Sequence, residues 1–518
     1  MSEKAFGDND KPTSLASEKS LDKEEAKVDK ETTTTTDSVK LTLTRLKLQA
    51  TKWSEKADIN AYVKIFEYAP NRAAQIAWLC VLLASTGATF WLIASSITGY
   101  LNYDVTSQTS IVYANPTRFP TLTMCDSNAF TTLTGQSLIE SVALANNISL
   151  VNYSDITLTE LAKMYAASPY LNDSQRMQLG LAREQLWCRY NNNDCNQNLH
   201  WIYYFEYGNC FQYNAGFDAD DQPVEFVNAS IEGVANGPLI GVVPFFNLNK
   251  YVTSYADGMV IFVDSSDSYA PLEAVAVEPG KLTYIKVKRT FLNKSPKPYS
   301  ECVDLNSYSS PLYTYYRTTY PSIAYSQYNC FDFCKQKSII EACSCYYTKY
   351  SSLDTSARPC LTEIDLACLL RQVNNFDSAQ CSSRYCPLEC NSAQYDLSSS
   401  SLVSPSISAF NLFFNTTAMR DYFNGTLDKT LTYATFRESS VFFTVFYSTL
   451  VYTNITETPK MSAVDLLTQI GGSLGMFISL SVFTLFELVE LAVLAAYALW
   501  LGIKKANKIE QQSLKSDF

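Results

Sequence analysis

The sequence predicts a membrane protein in which two transmembrane helices flank a large, disulfide-rich ectodomain of mixed α/β structure. Two uncharged apolar stretches of membrane-spanning length, 73–97 and 466–486, lie near opposite ends of the 518 residues. Fourteen of the fifteen cysteines lie between them, and alternating runs there, such as 259–263, 282–287 and 442–447, predict strands. We therefore expect a cytoplasmic segment 1–72, a first span 73–98, an ectodomain 99–460, a second span 461–503 and a cytoplasmic tail 504–518.

The first predicted span has the features of a helix that directs its own insertion. It follows Arg72 and carries Trp78 and Trp91 near its ends, where tryptophan favours the membrane interface. The first forty residues are polar and charged, so we expect no signal peptide before it. Residues 1–39 have the composition of a disordered tail, whereas 41–66 fit a helix on the inner membrane surface or an ordinary solvated helix equally well.

Basic residues predict the orientation of both spans. Residues 40–72 hold seven Lys or Arg against three acids, and Lys504, Lys505 and Lys508 follow the second span. Because such residues accumulate on the cytoplasmic side, both termini are predicted to be cytoplasmic. Residues 1–72 and residues 466–518 each hold equal numbers of basic and acidic side chains. Residues 73–465 therefore carry the whole net charge of −11. An acidic exterior argues against nucleic-acid partners and enriches cations near the surface.

The second span carries small residues and hydroxyls in a regular order. Gly471, Gly475 and Ser479 recur every four residues, so on a helix they form one ridge where neighbouring backbones can approach closely. Ser479 and Ser481 place hydroxyl groups near the middle of the span. This pattern favours self-association around an axis.

Two carboxylates follow that ridge within the same apolar stretch. Glu487 and Glu490 share one helix face, and carboxylates inside a membrane normally face protein or water and mark a pathway. An unbroken helix over 466–503 would be ~57 Å long, too long to stand upright. We therefore expect a strong tilt or a break, most favourably at Ser479-Leu480-Ser481, where it would line a wet cavity. The alternative is a plain membrane anchor with stray acids.

Two segments resemble one known family. The run 118–130 contains Phe-Pro-x-x-Thr-x-Cys-x-x-Asn-x-Phe, which resembles the degenerin, epithelial sodium channel and acid-sensing ion channel family. Gly471-Gly472, Gly475 to Ser481 and Glu487 are similar to that family's pore helix and its Gly/Ser-x-Ser filter. The resemblance covers about residues 55–505. It implies a trimer whose ectodomain has a strand-rich palm with a helical finger and thumb.

The resemblance also implies roles for particular residues. Asn60-Ala61 stand where the family has a cytoplasmic His-Gly pair that supports opening, so we expect a different open probability. Tyr103-Asp104 stand where acid-sensing members often carry adjacent histidines. The implied selectivity filter is Ser479, Leu480 and Ser481; the implied pore-lining residues are Gly471, Gly472, Gly475, Glu487 and Glu490; and the implied gating residues are Thr468, at the family's degeneration-causing position, Asn60 and Ala61.

The cysteines predict disulfides. Apart from Cys80 in the first span, all fourteen lie in the predicted exterior, where an oxidising environment favours disulfides, but spacing alone leaves their pairing open. A zinc site is disfavoured because His200 is the only histidine. Similarity to the family's thumb cysteines implies the pairs Cys125–Cys210, Cys188–Cys195, Cys302–Cys390, Cys330–Cys386, Cys334–Cys381, Cys343–Cys368 and Cys345–Cys360.

Glycosylation sequons agree with this topology, because all of them lie between the two spans. Chance supplies several in an Asn-rich region, so their placement supports the topology modestly. The predicted glycosylation sites are Asn147, Asn152, Asn172, Asn228, Asn293, Asn415, Asn424 and Asn454.

Taken together, these features predict a plasma-membrane, sodium-preferring channel of the amiloride-sensitive type. It would be a homotrimer or a heterotrimer with related subunits, in contact with membrane lipid and opened by a peptide or other ligand or by mechanical force. Protons are the less favoured stimulus because His200 is the only histidine. No catalytic set is recognisable, so no enzyme activity, cofactor or metal is expected. The alternatives are a two-span receptor or adhesion protein without a pore and, last, a two-span ecto-enzyme.

Overall fold

The structure is a computed structural model of the chain, and it falls into two compact units. Residues 105–459 form the larger unit, and the segments on either side of it belong to the smaller, helical one. The described residues are 72–149, 156–191, 193–234, 237–242, 256–268, 273–305, 309–319, 323–353, 356–382, 385–417, 419–421 and 430–478, with single helical positions beyond 478.

The helices are labelled in chain order, and the described ones have the following bounds. They are α1 Arg72–Leu101, α2 Leu133–Ala145, α3 Ile156–Ala166, α4 Asp173–Arg176, α5 Pro311–Thr319, α6 Gln327–Cys343, α7 Glu363–Asn374, α8 Ser378–Ser382, α9 Ile407–Ala409, α10 Tyr433–Glu438 and α11 Ala463–Ile478.

The described strands all lie in the larger unit. They are β1 Val105–Tyr113, β2 Thr117–Arg118, β3 Thr121–Asp126, β4 Leu186–Tyr190, β5 Asn193–Asp194, β6 Leu199–Tyr204, β7 Gly208–Tyr213, β8 Asn228–Ala229, β9 Leu239–Val242, β10 Met259–Asp264, β11 Ala274–Val277, β12 Lys281–Asn293, β13 Cys302–Val303, β14 Cys345–Tyr346, β15 Arg358–Pro359, β16 Leu388–Glu389, β17 Asn391–Val403 and β18 Val441–Pro459.

The helical unit contains the first predicted span. α1 is apolar and, at 30 residues, is the one described helix long enough to cross a membrane. α11 is also apolar, but its described part has 16 residues. The rest of the second predicted span lies outside the described residues except for isolated positions. The two-span topology therefore stays a prediction.

Two sheets form the strand-rich part of the larger unit. In one, the order is β17-β12-β18-β9-β4-β5, with β1 also pairing with β18; in the other it is β11-β10-β3-β7-β6. The predicted strands at 259–263, 282–287 and 442–447 are confirmed as parts of β10, β12 and β18. The first seven residues of β18 are buried without alternation, which is typical of a strand covered on both faces.

Helices surround two further apolar cores in this unit. One core joins α2, α3 and α7 through residues such as Phe130, Ile139 and Leu366. The other lies around α5 and α6, where the buried rings of Tyr316 and Phe333 meet edge to face at 5.5 Å. The sequence-based expectation of helices beside a strand-rich domain is therefore met.

Seven disulfides cross-link the larger unit. Five of them join the helical region from α5 to α8 and the strands next to it, where the covalent bonds restrict relative movement of short elements. Cys80, in α1, is the free cysteine. The bonded pairs are Cys125–Cys210, Cys188–Cys195, Cys302–Cys390, Cys330–Cys386, Cys334–Cys381, Cys343–Cys368 and Cys345–Cys360.

Candidate functional site

The start of α11 is fixed by a reciprocal cap. The backbone N–H of Ser462 donates to Asp465 Oδ2 at 2.9 Å, and the N–H of Asp465 donates to Ser462 Oγ at 3.1 Å. Just before it, the N–H of Lys460 donates to the Asp104 carbonyl at 2.9 Å, and their side chains form an ion pair at 3.3 Å. The residues that follow α1 and precede α11 are thus joined directly.

One face of α11 packs within the helical unit. Leu466, Ile470, Ser473 and Phe477 are partly covered, and their spacing of three to four residues puts them on one side of the helix. α1 and α11 lie against each other in this unit. The covered face therefore makes the contacts of α11 within a single chain.

The opposite face of α11 is exposed and includes a row of small residues beside the exposed apolar side chains of Val464 and Met476. Thr468, Gly472 and Gly475 follow at i, i+4 and i+7, and Gly471 lies beside them. A methyl group added at Gly471 or Gly472 would meet no atom within 4 Å. Packing within one chain does not require glycine there, so this exposed face is available for close approach of another helix.

The predicted pore residues divide between described and undescribed parts of the chain. Thr468 is exposed on α11, and its hydroxyl donates to the Val464 carbonyl at 2.8 Å. Gly471, Gly472 and Gly475 are exposed on the same helix. The remaining residues lie outside the described part and stay predictions; they are Ser479, Leu480, Ser481, Glu487, Glu490, Asn60 and Ala61.

β1 and β18 are the strands nearest in sequence to α1 and α11. They pair antiparallel over their whole common length, from Val105 opposite Pro459 to Tyr113 opposite Val451. β18, the strand that precedes α11 in the sequence, also pairs in parallel with β12. The sequence did not predict this pairing because β1 and the last part of β18 are polar, with no apolar alternation.

A buried arginine interrupts the pairing of β12 and β18. The register shifts between Val287 and Arg289, which are opposite Tyr447 and Tyr452 respectively. The Arg289 guanidinium lies 4.7 Å from the Tyr447 ring centre, and its Nε and Nη2 have no hydrogen-bond partner among the described residues. Cation–π contact compensates part of its desolvation. Sequence reasoning missed this residue because no motif marks it.

Carboxylates near the helices are largely paired with lysines. Glu206 contacts both Lys163, at 3.1 Å, and Lys349. Although burial works in the opposite direction, these two lysines hold the pKa of Glu206 below its ordinary value. Asp332 pairs with Lys335 at 3.1 Å, although burial raises its pKa. The two lysines thus favour the charged form of Glu206, whereas at Asp332 the effect of burial outweighs that of Lys335.

Asp126 is the described carboxyl group with the most strongly altered pKa. It ends β3 in the core and accepts a hydrogen bond from the Asn128 N–H at 2.8 Å. Burial raises the pKa of Asp126 from 3.8 to about 8, and the nearby charge of Asp257 adds to the shift. The protonated form of this side chain is therefore favoured at neutral pH.

Replacing Asp126 by asparagine is expected to stabilise the larger unit as pH rises. Between the ordinary pKa of 3.8 and the folded value of about 8, only the folded state keeps the proton, so the free energy of unfolding falls with pH. Asparagine keeps the acceptor oxygen and has no such loss. At pH 4 the variant and the wild type should have nearly the same free energy of unfolding. At pH 8 the free energy of unfolding of the variant should be higher by a few kcal/mol, because each unit of pKa shift corresponds to ~1.36 kcal/mol. Asp257→Asn, at an exposed position, should raise the free energy of unfolding at pH 8 much less. If Asp126→Asn and the wild type differ in melting temperature by the same amount at every pH, the raised pKa of Asp126 is contradicted.

The described sequons differ in accessibility. Asn147, Asn172 and Asn228 are exposed. Asn293 and Asn454 are half-buried, and the Asn293 side-chain amide donates to Asn454 Oδ1 at 2.7 Å. Asn415 is also half-buried, and its Oδ1 accepts from Arg420 Nε at 2.7 Å. Asn152 and Asn424 lie outside the described residues.

Glycan occupancy is expected to follow this difference. The three exposed sites, Asn147, Asn172 and Asn228, should be occupied, whereas Asn293 and Asn454 should not both carry glycans on one chain, because a glycan on each would separate the two amides. Mass spectrometry of peptides after enzymatic deglycosylation in ¹⁸O water measures each site. Near-complete occupancy of both Asn293 and Asn454 would show that the amide contact does not form in the mature protein.

Comparison with known proteins places the chain among ion channels. A sequence model described as "Amiloride-sensitive sodium channel" matches residues 54–491. The chain is 23% identical over 463 residues to the Bile acid-sensitive ion channel of Mus musculus, covering 81% of this chain and 82% of that protein. It is 23% identical over 455 residues to Acid-sensing ion channel 2 of Mus musculus, covering 82% of each, and 24% identical over 359 residues to Degenerin mec-10 of Caenorhabditis elegans, covering 67% of this chain and 45% of that protein.

The class defined by these matches is that of ion channels and not of enzymes. The chain belongs to the amiloride-sensitive sodium channel family, since the matched residues include most of its length. The predicted resemblance to degenerins and acid-sensing channels is confirmed.

Proposed function

We propose that the chain is a sodium-preferring, amiloride-sensitive cation channel of the plasma membrane, in which three subunits surround one pore. The observation that carries this proposal is the exposed small-residue face of α11, Thr468, Gly471, Gly472 and Gly475, opposite the face that packs in the helical unit. Three such faces can meet closely around an axis. The subunits are copies of this chain or include related chains.

The proposed filter and the two acids follow α11 in the sequence. Ser479, Leu480 and Ser481 would contribute a narrow ring of oxygens from three subunits, and such rings select ions by size and field strength. Glu487 and Glu490 would hold negative charge near the permeating cations on the inner side. In this arrangement both termini are cytoplasmic and residues 105–459 face the exterior.

Opening would be passive and driven from the ectodomain. A stimulus that displaces the disulfide-linked helical region moves β12, which pairs with β18 over both of its halves. β18 and β1 precede α11 and follow α1, respectively, and they are paired along their common length. Tension on these strands would then act on the ends of the two membrane helices. A peptide or other extracellular ligand, or mechanical force, supplies the stimulus.

Protons are expected to be a weak stimulus for this channel. The chain has a single histidine, the protonated form of Asp126 is already favoured at pH 7.4, and Lys349 and Lys163 lower the pKa of Glu206 despite its burial. Burial raises the pKa of Asp264, with the charges of Asp267 and Glu273 adding to the shift, and burial also raises the pKa of Asp332. Whole-cell recording should therefore show little amiloride-sensitive current on a step from pH 7.4 to about pH 6.

The same recordings test the proposed function. Peptides, flow and amiloride are applied to cells whose surface expression has been verified by labelling. A sodium current that amiloride blocks, evoked by a peptide or by flow, supports the proposal. A large inward current evoked by the acid step would contradict the weak role assigned to protons.

A further inference from the structure

A cavity of about 490 Å³ lies in the larger unit where the ends of β12 and β17 meet α5. Its volume is within the ordinary range of small-molecule sites. One wall is covalently fixed, since Cys390 is bonded to Cys302, and the Lys294 N–H donates to the Cys390 carbonyl at 2.8 Å. The cavity is therefore a built feature of the fold.

Two basic residues line this cavity, and neither forms an ion pair with a described acid. They are Lys294, which is half-buried, and Arg317 of α5, which is exposed at the mouth of the cavity. Asp304 also lines the cavity, so the charged side chains around it sum to one positive charge. Two cations with no ion-pair partner among the described residues therefore face one cavity.

Acids elsewhere near these strands and helices have other partners. The Ser295 N–H donates to Glu457 at 3.3 Å, and the Gln327 N–H donates to Glu389 at 2.9 Å. Glu301 pairs with Lys297 at 3.5 Å. Lys294 and Arg317 thus form no ion pair with a described carboxylate, although Asp304 lines the same cavity, and an anion bound beside the two cations would be stabilised by both.

The remaining walls are apolar and aromatic. Leu305, Tyr313 and Tyr325 line the cavity. The Tyr313 hydroxyl donates to the Leu305 carbonyl at 3.0 Å and that of Tyr325 to the Pro387 carbonyl at 2.8 Å. Because both hydroxyls are used, the rings offer apolar surface to the cavity rather than polar groups.

We propose that this cavity is a binding site for an amphipathic organic anion with one carboxylate or sulfonate and a small apolar body. Lys294 and Arg317 would bind the acid group, and Leu305 and the two tyrosine rings would contact the apolar body. The bound anion would connect α5 to the end of β12, which pairs with β18. An effect on current rests on the proposed channel function, whereas binding does not.

Fluorescence titration of the purified full-length chain in detergent tests the site. The probe is dansylglycine, an amphipathic carboxylate, and dansylamide is its neutral counterpart. We expect saturable binding of dansylglycine, with Kd raised about tenfold or more in Lys294→Gln and in Arg317→Gln, as for loss of a charge-assisted contact. Dansylamide should bind equally to the wild type and to these variants. Arg371→Gln, at an exposed arginine outside the cavity, serves as the matched control and should bind dansylglycine as the wild type does.

Leu305→Trp fills the cavity without changing its charge and should also weaken dansylglycine binding. Thermal melting shows whether each variant is folded. If Lys294→Gln and Arg317→Gln do not fold, the affinity of Leu305→Trp for dansylglycine tests the site. Equal dansylglycine affinity in the wild type and in every folded variant would overturn the proposal, as would the absence of saturable binding. Binding with no effect on current would preserve the site and remove only its link to gating. Absence of any wild-type current would count against the channel function and leave the titration unaffected.

Discussion

Replacing Thr468 by phenylalanine is expected to hold the channel open without a stimulus. Thr468 lies at the centre of the exposed face of α11, next to Gly471 and Gly472. Three small side chains can approach closely around a closed axis, whereas three large ones would overlap, and close-packed protein does not absorb that volume without moving. Overpacking costs ~1–3 kcal/mol per site, so three sites acting against one state would shift a two-state equilibrium by several powers of ten.

Whole-cell recording measures this effect as a standing current revealed by amiloride. Gln469→Phe is the matched control, because the next residue along is turned by ~100° on the helix and leaves the centre of the face. It should give far less standing current. If Thr468→Phe reaches the surface normally and carries no standing current, Thr468 does not face the closed axis.

Replacing Ser481 by alanine is expected to reduce the preference for sodium over potassium. The change removes three hydroxyl groups from the proposed oxygen ring, on which discrimination between cations depends. With sodium outside and potassium inside, the reversal potential should move toward zero, by about 59 mV for each tenfold loss of preference.

Ser473→Ala is the matched control for this measurement. Ser473 lies on the covered face of α11, and its hydroxyl donates to the Gln469 carbonyl at 2.8 Å. Its loss should leave the reversal potential unchanged. An unchanged reversal potential in Ser481→Ala as well would place the filter elsewhere in the pore.

Local patterns predicted those parts of the structure that depend on local chemistry. The apolar run after Arg72 forms α1, and alternating residues form the cores of β10 and β12. β18 extends to Pro459, well past the predicted 442–447, because its polar end is held by pairing with β1 and not by an apolar face.

Features that depend on distant parts of the chain could not be predicted in this way. Asp126 looks like an ordinary acid in the sequence, and its pKa is raised only because the fold buries it. Arg289 likewise meets Tyr447 through sheet pairing across more than a hundred residues. The cavity with Lys294 and Arg317 forms only when β12, β17 and α5 come together.

Single-channel recording of the purified protein in planar bilayers tests the central claim most directly. Thr468→Phe is recorded beside the wild type, so that the measurement does not depend on knowing the stimulus. We expect discrete unitary currents that reverse near the sodium equilibrium potential and that amiloride blocks from the ectodomain side. Folded, oligomeric protein that inserts into the bilayer and yields no unitary current in either form would contradict the claim that this chain forms a pore.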